Sequence, residues 1–320
     1  MKRLPVIFAA ALTAFSAVFS TAASAKESSL VVLGDSITSG YGLDGYVAGD
    51  NYSAPDSFAN HLSAAYSDYS NFAKDGRTSG ELLTALEDED ISAALAGADT
   101  VVISIGGNDF LQPMISAIIS IVMEDSDLKD KLTSGEFSAS ADFSLELMQQ
   151  LTETIINAAK DVDADDVCSN ISSILSAVKN AAPDAQIIIL TVYDPFECVT
   201  GMEMIDVVAR EKLAEMNAGI KDAAAANGAE VADVFTAFKG SAEDYTNITR
   251  MDIHPSREGH AVIYSMLSEM AEVPSEPVSA DVQPGTAHKG SPDTGAGDIA
   301  VFAGIALTAA AAAYLTRKKR

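Results

Sequence analysis

The sequence has little positive charge and no tryptophan. Lysine and arginine together number 20 against 46 aspartates and glutamates, which gives a formal net charge of −26. Proteins that bind nucleic acid need basic patches against the phosphates, and charge-driven attachment to anionic lipid also needs basic residues. The composition therefore excludes both classes. The acidity is better explained as a contribution to solubility than as an indication of the substrate.

Cysteine is also scarce, since the chain contains only Cys168 and Cys198. Their separation matches no zinc-binding spacing, and no metal site is predicted. In a protein that works outside the cytoplasm two cysteines can form a disulfide. The pair is therefore a candidate disulfide, although the sequence does not supply the Cα–Cα distance that such a bond requires.

The N-terminal residues have the layout of a secretory signal peptide. Residues 1–3 include two basic side chains, residues 4–18 are mostly apolar, and residues 23–25 read Ala-Ser-Ala. A basic start, a short apolar centre and a small-residue cleavage site define such a peptide. The apolar stretch is short for a membrane span and is interrupted by serine and threonine. Residues 1–25 are predicted to be removed, so that the mature chain begins near Lys26.

The C-terminal residues carry a different signal. Residues 274–297 are rich in proline, serine and glycine without an apolar period, which is typical of a linker. Residues 298–320 contain an apolar run at 299–315 and close with four basic residues. A short apolar span before a basic end predicts a membrane-held tail with its charges on the cytoplasmic side.

The linker ends in Ser291-Pro292-Asp293-Thr294-Gly295. This order resembles the sorting signal of Gram-positive surface proteins, which a sortase cuts between threonine and glycine and joins to cell-wall peptidoglycan. The resemblance implies a cut between Thr294 and Gly295, although Ser291 stands where leucine is usual. A plain C-terminal membrane anchor is the alternative. Both place the protein on the cell wall or on the outer face of the membrane of a Gram-positive-type bacterium.

Residues 26–273 are long enough for one domain. Apolar runs at 30–33, 100–105 and 186–192, with weaker ones at 69–72 and 231–235, predict strands. Helical patterns lie between them at about 56–67, 79–96, 203–227 and 257–272. Alternating strands and helices predict a parallel sheet covered on both faces, with functional groups in the loops at the carboxyl ends of the strands.

The segment at 110–182 is long for one crossover and predicts a helical insertion after the third strand. Its apolar residues are spaced as one helical face: Leu111, Met114, Ile115, Ile118, Ile119 and Val122. Two interpretations stay open. The face lines a pocket or lid over a site, or it is ordinary core packing.

Four short motifs follow predicted strands or precede the last helix. Ser36 ends a Gly-Asp-Ser turn after the first strand, where an exposed serine with a nearby base can act as a nucleophile. Gly76 follows the second strand, Asn108 follows the third within Gly-Gly-Asn-Asp, and His254 precedes a proline before the last helix. Each motif alone is typical of an ordinary turn or of a structural histidine, but the four occur in one order along the chain.

That order resembles the SGNH hydrolase family, also called the GDSL family, over residues 30–272. The resemblance implies a three-layer α/β/α sandwich with a central parallel, flavodoxin-like sheet. It implies that Ser36 is the nucleophile and His254 its base, and that the N–H groups of Ser36 and Gly76 with the Asn108 side chain form an oxyanion hole. It implies no metal or other cofactor.

One position departs from the family pattern. The family usually has aspartate three residues before the histidine, where this chain has Met251, whereas Asp252 lies two residues before it. In an extended segment residues two apart share a face, so Asp252 can orient the imidazole as the acid of a triad does. In the alternative, a backbone carbonyl supports a Ser–His dyad and Asp252 is a solvated loop acid.

The resemblance implies a serine esterase or lipase that forms an acyl-enzyme. A polysaccharide O-deacetylase is an alternative that suits wall attachment but is weakened by the lack of tryptophan. A non-catalytic surface adhesin is a further alternative, from a different class of protein. The expected partners are an ester substrate, a sortase and peptidoglycan.

Overall fold

The computed structural model describes residues 28–47, 53–127, 130, 144–197, 203–250 and 252–271. The predicted signal peptide, the linker with Thr294 and Gly295, and the tail at 298–320 lie outside these residues. Among the residues that the structure describes, no helix is long and apolar enough to cross a membrane.

A parallel sheet forms the centre of the described fold. Its strands are β1 (Ser29–Gly34), β2 (Asp68–Ala73), β3 (Thr100–Ser104), β4 (Gln186–Leu190) and β5 (Glu230–Ala232). Their spatial order is β2-β1-β3-β4-β5, and every neighbouring pair is parallel. After β1 the chain forms β2 on one side of it, and then crosses over to form β3 on the other side. The strand order therefore reverses between β1 and β3. In open α/β sheets, ligands bind outside the carboxyl ends of the strands at such a point.

The sheet is apolar on both faces because helices cover both. Alternate residues of a strand point to opposite faces. Val31 and Leu33 pack into the larger core cluster, whereas Leu30 and Val32 pack into the smaller one. All four are fully buried. The predicted three-layer α/β/α sandwich with a central parallel sheet is confirmed.

The helices of the described chain are α1 (Ser36–Ser39), α2 (Phe58–Ser63), α3 (Ser79–Ala85), α4 (Glu89–Ala96), α5 (Gly107–Glu124), α6 (Leu145–Lys160), α7 (Ala164–Ala181), α8 (Glu203–Asn227), α9 (Val234–Phe238), α10 (Ala242–Tyr245) and α11 (Arg257–Met270). A 3₁₀ turn covers Ile248–Arg250. The helices α5, α6 and α7 lie between β3 and β4, which confirms the predicted helical insertion.

Two predicted elements differ from the structure, both because an aspartate caps a helix. The helix predicted at 79–96 is broken, since the Asp88 carboxylate accepts hydrogen bonds from the backbone N–H groups of Asp90 and Ile91 and starts α4 there. The strand predicted at 231–235 ends at Ala232, because the Asp233 side chain accepts from the N–H of Thr236 and starts α9. Capping oxygens of this kind satisfy N–H groups that have no partner inside the helix.

The candidate disulfide is not formed at Cys168, which is a free thiol in α7. Its Sγ lies 3.6 Å from the backbone oxygen of Met216 in α8. A Cβ atom on Gly219 would come within 2.1 Å of the same sulfur, so this thiol fills the contact between α7 and α8. Cys198 lies outside the described residues.

Candidate active site

A tight turn at the carboxyl end of β1 positions Ser36. Asp35 caps α1, because its Oδ1 accepts a hydrogen bond of 3.0 Å from the N–H of Ile37. A Cβ atom on Gly34 would lie 2.1 Å from Thr38 Oγ1 and 2.8 Å from the backbone oxygen of Ser104. A side chain at position 34 would therefore push α1 away from the sheet, and with it Ser36.

His254 reaches Ser36 from the loop before α11. Its Nε2 lies 2.9 Å from Ser36 Oγ, although 218 residues separate them. Two hydrogen bonds fix the backbone of this loop. The Asn247 N–H donates to the His254 carbonyl at 2.9 Å, and the Tyr193 hydroxyl donates to the Ile253 carbonyl at 2.8 Å. Tyr193 extends from the loop after β4, so the neighbouring strand end supports the imidazole.

Asp252 lies on the far side of the imidazole from Ser36. Its Oδ1 is 2.5 Å from His254 Nδ1 and also accepts the backbone N–H of His254 at 3.0 Å. A Cβ atom on Gly42 would lie 2.7 Å from Asp252 Oδ2, so the absent side chain leaves room for the carboxylate. The structure thus brings Ser36, His254 and Asp252 into one line of hydrogen bonds.

The charges of Asp252 and His254 stabilise each other. Burial by itself lowers the pKa of His254, but the charge and hydrogen bond of Asp252 outweigh it, so the pKa lies above its usual value. Burial raises the pKa of Asp252, but the charge and hydrogen bonds of His254 leave it below its usual value. The arrangement therefore favours a carboxylate beside an imidazole that has taken up a proton.

Asn108 and Gly76 meet beside Ser36. The Asn108 Nδ2 donates hydrogen bonds of 3.1 Å to the Arg77 carbonyl and 3.3 Å to Asp35 Oδ2. Gly76 has a φ of +75°, in the left-handed region that favours glycine. The Gln112 side chain donates to the Gly76 carbonyl at 2.8 Å. The first turns of α5 therefore hold the loop after β2 against the turn after β1.

Asp109 of α5 fastens the first residue of α3, which follows the same loop. Its two carboxylate oxygens accept from the backbone N–H of Ser79 at 2.8 Å and from the Ser79 hydroxyl at 2.7 Å. Burial raises the pKa of Asp109, and these hydrogen bonds partly offset that effect. Asp109 therefore acts on the site through the loop that carries Gly76.

The carboxyl of Asp35 is buried directly beneath the serine turn. Burial raises its pKa to about 7, and the hydrogen bond from Ile37 and the charge of His254 offset part of the rise. A carboxyl that also accepts from Asn108 thus titrates near neutral pH.

A cavity of about 350 Å³ opens over these groups. Ser36, Gly76, Asn108 and His254 all line it. The predicted apolar face of α5 divides between two environments. Met114 and Ile118 are buried in the core, whereas Leu111, Ile115 and Ile119 line the cavity, so both sequence interpretations hold, each for one side of the helix.

Several supporting residues carry weak signals or none in the sequence. The Tyr41 ring centroid lies 4.5 Å from that of His254, and Gly42 makes room for Asp252. Both contacts depend on pairing with a segment more than 200 residues away, so no local pattern indicates them. Asp35 lies in the Gly-Asp-Ser motif and Asp109 in the Gly-Gly-Asn-Asp motif, and these positions are the sequence signal that the two aspartates belong to the site. Gln112 lies one turn after Asn108 on α5, a spacing that indicates a shared helix face but not the partner at Gly76.

Comparison with solved structures supports this fold. Similar solved structures include a phospholipase A1 from Streptomyces albidoflavus NA297, with 22% identity over 77% of this chain and 100% of that chain and a TM-score of 0.56. An extracellular lipase from Streptomyces rimosus has 20% identity over 76% of this chain and 100% of that chain, with a TM-score of 0.55. The lipase Lip_vut3 from a goat rumen metagenome has 21% identity over 76% of this chain and 96% of that chain, with a TM-score of 0.51.

At these identities the solved structures establish the fold alone. No curated protein matches the chain significantly. The sequence profile of the GDSL-like lipase/acylhydrolase family matches residues 32–262, which is more than half of the chain and includes every residue placed in the site above. The chain belongs to the GDSL-like lipase/acylhydrolase family and is a hydrolase of ester bonds.

Proposed function

We propose that the protein is a serine esterase that hydrolyses carboxylic esters through an acyl-enzyme on Ser36. The observation that carries this proposal is the line from Ser36 Oγ to His254 Nε2, 2.9 Å, and from His254 Nδ1 to Asp252, 2.5 Å, at the floor of an open cavity. A nucleophile, a base within hydrogen-bond reach and a third group that orients the base are the parts that nucleophilic acyl transfer requires.

In the first half of the reaction, His254 Nε2 takes the proton from Ser36 Oγ as that oxygen attacks the ester carbonyl carbon. The C=O electron pair moves onto the carbonyl oxygen and forms a tetrahedral oxyanion. Asp252 stabilises the imidazolium and keeps the proton of Nδ1 directed towards itself. The raised pKa of His254 is in the direction that helps it take up the proton.

The oxyanion lies among the N–H groups of Ser36 and Gly76 and the Asn108 amide. Asn108 Nδ2 already makes two hydrogen bonds, and the one to Asp35 is the longer, at 3.3 Å. We expect the substrate oxygen to replace Asp35 as the acceptor, because catalytic hydrogen bonds are often long in an empty site and shorten in the complex. Donors that are fixed before the charge develops stabilise the transition state.

In the second half, the C–O bond to the alcohol breaks and His254 gives its proton to the leaving oxygen. His254 then takes a proton from water, whose oxygen attacks the acyl-enzyme carbonyl. The bond to Ser36 Oγ breaks, the proton returns to that oxygen, and the carboxylic acid leaves.

The test is hydrolysis of p-nitrophenyl esters by the wild type, Ser36→Ala and Ser120→Ala. Ser120 is exposed on α5 and lies outside the cavity lining, so it controls for the loss of one hydroxyl. Ser36→Ala should lose about 10⁴- to 10⁶-fold in kcat, as removal of a nucleophilic serine does elsewhere. Equal turnover by the Ser36→Ala protein would contradict the proposal, and a folded wild type that hydrolyses no ester would favour a non-catalytic surface protein.

We also propose that the enzyme is secreted and joined to the cell wall through Thr294. This proposal is supported by the sequence of the two ends. Mass spectrometry of the protein released from cell walls should find a chain that starts near Lys26 and ends at Thr294. A chain that retains residues 298–320 in the membrane fraction would favour the plain anchor instead.

A further inference from the structure

One side of the cavity is an apolar strip along α5. Leu111, Ile115 and Ile119 follow each other at intervals of four residues, so they lie on one face of the helix, and all three line the cavity. The strip starts one turn after Asn108. At about 1.5 Å per residue, its eight-residue span covers about 12 Å. An apolar surface of this length therefore runs away from the proposed oxyanion position.

The cavity lining also includes His254. The Tyr41 ring packs against the imidazole, and Asp75, which also lines the cavity, accepts a hydrogen bond of 2.7 Å from Ser39 Oγ. In the proposed reaction His254 protonates the leaving alcohol, so the alcohol must lie next to His254. We infer that the acyl group lies along α5, because the apolar strip starts one turn after Asn108.

The dimensions of the strip limit the length of the acyl chain. With C–C bonds of about 1.5 Å, an extended alkyl chain advances about 1.25 Å per bond, so 12 Å holds about nine bonds. The cavity of about 350 Å³ is near the lower end of the range for small-molecule sites, roughly 300–1,000 Å³. It therefore has room for one chain beside the reacting ester group.

We propose that the enzyme selects straight acyl chains of about eight to ten carbons, laid along the strip of α5 from Leu111 to Ile119. Ile119 is the specificity-determining residue, because among the described side chains of α5 it is the one farthest from Asn108 that lines the cavity. This inference rests on the proposed esterase function of Ser36. It separates the enzyme from a deacetylase, whose acyl group would leave the strip empty.

The expected measurement is kcat/KM for p-nitrophenyl acetate, butyrate, octanoate and dodecanoate. Each buried methylene should raise kcat/KM by up to about fourfold, which amounts to up to about 250-fold for the four methylenes between butyrate and octanoate. The increase should stop near ten carbons, where the strip ends.

Three variants test the role of Ile119. Ile119→Phe should lower the ratio of kcat/KM for octanoate to that for acetate about 16-fold, on the scale of about fourfold for each of two displaced methylenes. Ile119→Ala should move the optimum to longer chains. Ser120→Phe adds the same ring one residue further along α5, outside the cavity lining, and should change neither the ratio nor the optimum. Far-ultraviolet circular dichroism checks that the Ile119 variants are folded.

An unchanged ratio of octanoate to acetate in Ile119→Phe would overturn the inference. So would a strong preference for octyl acetate over ethyl octanoate, because the strip would then hold the alcohol. A calorimetric titration of Ser36→Ala with methyl octanoate and methyl butyrate separates the two proposals. Tighter binding of the octanoate that depends on Ile119, without any wild-type turnover, would support the chain site and contradict the esterase. Turnover that depends on Ser36 but not on chain length would support the esterase and contradict the chain site.

Discussion

Two buried histidines, six residues apart, have opposite properties. His254 lies in the loop before α11, between Ser36 and Asp252, and its pKa is above the usual value. His260 lies inside α11, where its ring stacks on Phe58 and its Nδ1 accepts the Phe58 N–H at 3.3 Å. Within the described chain the His260 Nε2 has no hydrogen-bond partner, and burial lowers its pKa to about 3.

The comparison shows that burial alone does not make a histidine reactive. Burial lowers the pKa of both imidazoles, because a low-dielectric interior disfavours the charged form. Only His254 has a carboxylate at its other nitrogen to reverse that effect. His260 is therefore a packing residue that stays neutral, whereas His254 is arranged to accept a proton.

Replacing each histidine in turn with alanine gives the largest expected effect on turnover. His254→Ala should lower kcat by about 10⁴-fold or more, because Ser36 loses its base. His260→Ala should instead lower the free energy of unfolding by about 2–4 kcal/mol, because it leaves a cavity and an unpaired Phe58 N–H. Turnover per folded molecule should stay within about twofold.

Ester hydrolysis and urea denaturation on the same samples measure both quantities. An equal loss of turnover in the two variants would contradict the distinction between a reactive and a packing histidine.

The carboxylate that distinguishes the two histidines can be removed with Asp252→Asn. We expect kcat to fall by about 1,000- to 10,000-fold, since the imidazole loses the acceptor that fixes its tautomer. The pKa of His254 should also fall, because burial is then no longer opposed by Asp252.

The pH profile of kcat/KM measures this shift. In the wild type, activity should fall as pH drops through a pKa above 6.5, because the base becomes protonated. Any residual activity of Asp252→Asn should have its acid limb at lower pH. Asp244→Asn, an exposed acid on α10, is the matched control. Loss of less than about threefold would show that Asp252 is a loop acid beside a Ser–His dyad.

Asn108→Ala tests whether the Asn108 side chain donates a hydrogen bond to the oxyanion. Loss of one such donor costs about 100- to 1,000-fold in kcat. The fold should persist, because Asn108→Ala removes only two side-chain hydrogen bonds, of 3.1 and 3.3 Å. Far-ultraviolet circular dichroism checks the fold, and a fully active variant would contradict the role of Asn108.

The smallest expected effect concerns stability against pH. The folded-state pKa of His260 is about 3 against a usual value of 6.5, so the stability that it contributes is complete above pH 6.5 and is lost as pH falls towards 3. The loss should be at most about 1.4 kcal/mol per pH unit.

Asp35 and Asp194 change the free energy of unfolding in the opposite direction. Burial raises the pKa of each to about 7, so the stability that they contribute is lost as pH rises. The difference in unfolding free energy between wild type and His260→Gln therefore isolates His260. A difference that does not change from pH 7 to pH 4 would show that His260 does not resist protonation.

Much of this fold could be predicted because the signals are local. The runs at 30–33, 100–105 and 186–192 are mostly apolar, as strands buried on both faces must be, and they became β1, β3 and β4. The helix predicted at 203–227 has the same bounds as α8. Errors arose where one side chain decided the outcome, as when Asp88 and Asp233 each began a helix inside a longer apolar pattern.

The sequence by itself determined the order of the elements and the motifs at the strand ends. Apolar periodicity and turn residues act within a few positions, so they place Ser36, Gly76 and Asn108 at one edge of a parallel sheet. The two-residue spacing of Asp252 and His254 left the role of Asp252 open.

Only the tertiary structure decided which groups touch. The contact of His254 with Ser36, the space that Gly42 leaves for Asp252, the free thiol of Cys168 and the division of α5 between core and cavity all depend on segments far apart in the chain. Such contacts arise from packing of the whole fold, where volume and burial are shared among many residues, and no local pattern contains that information.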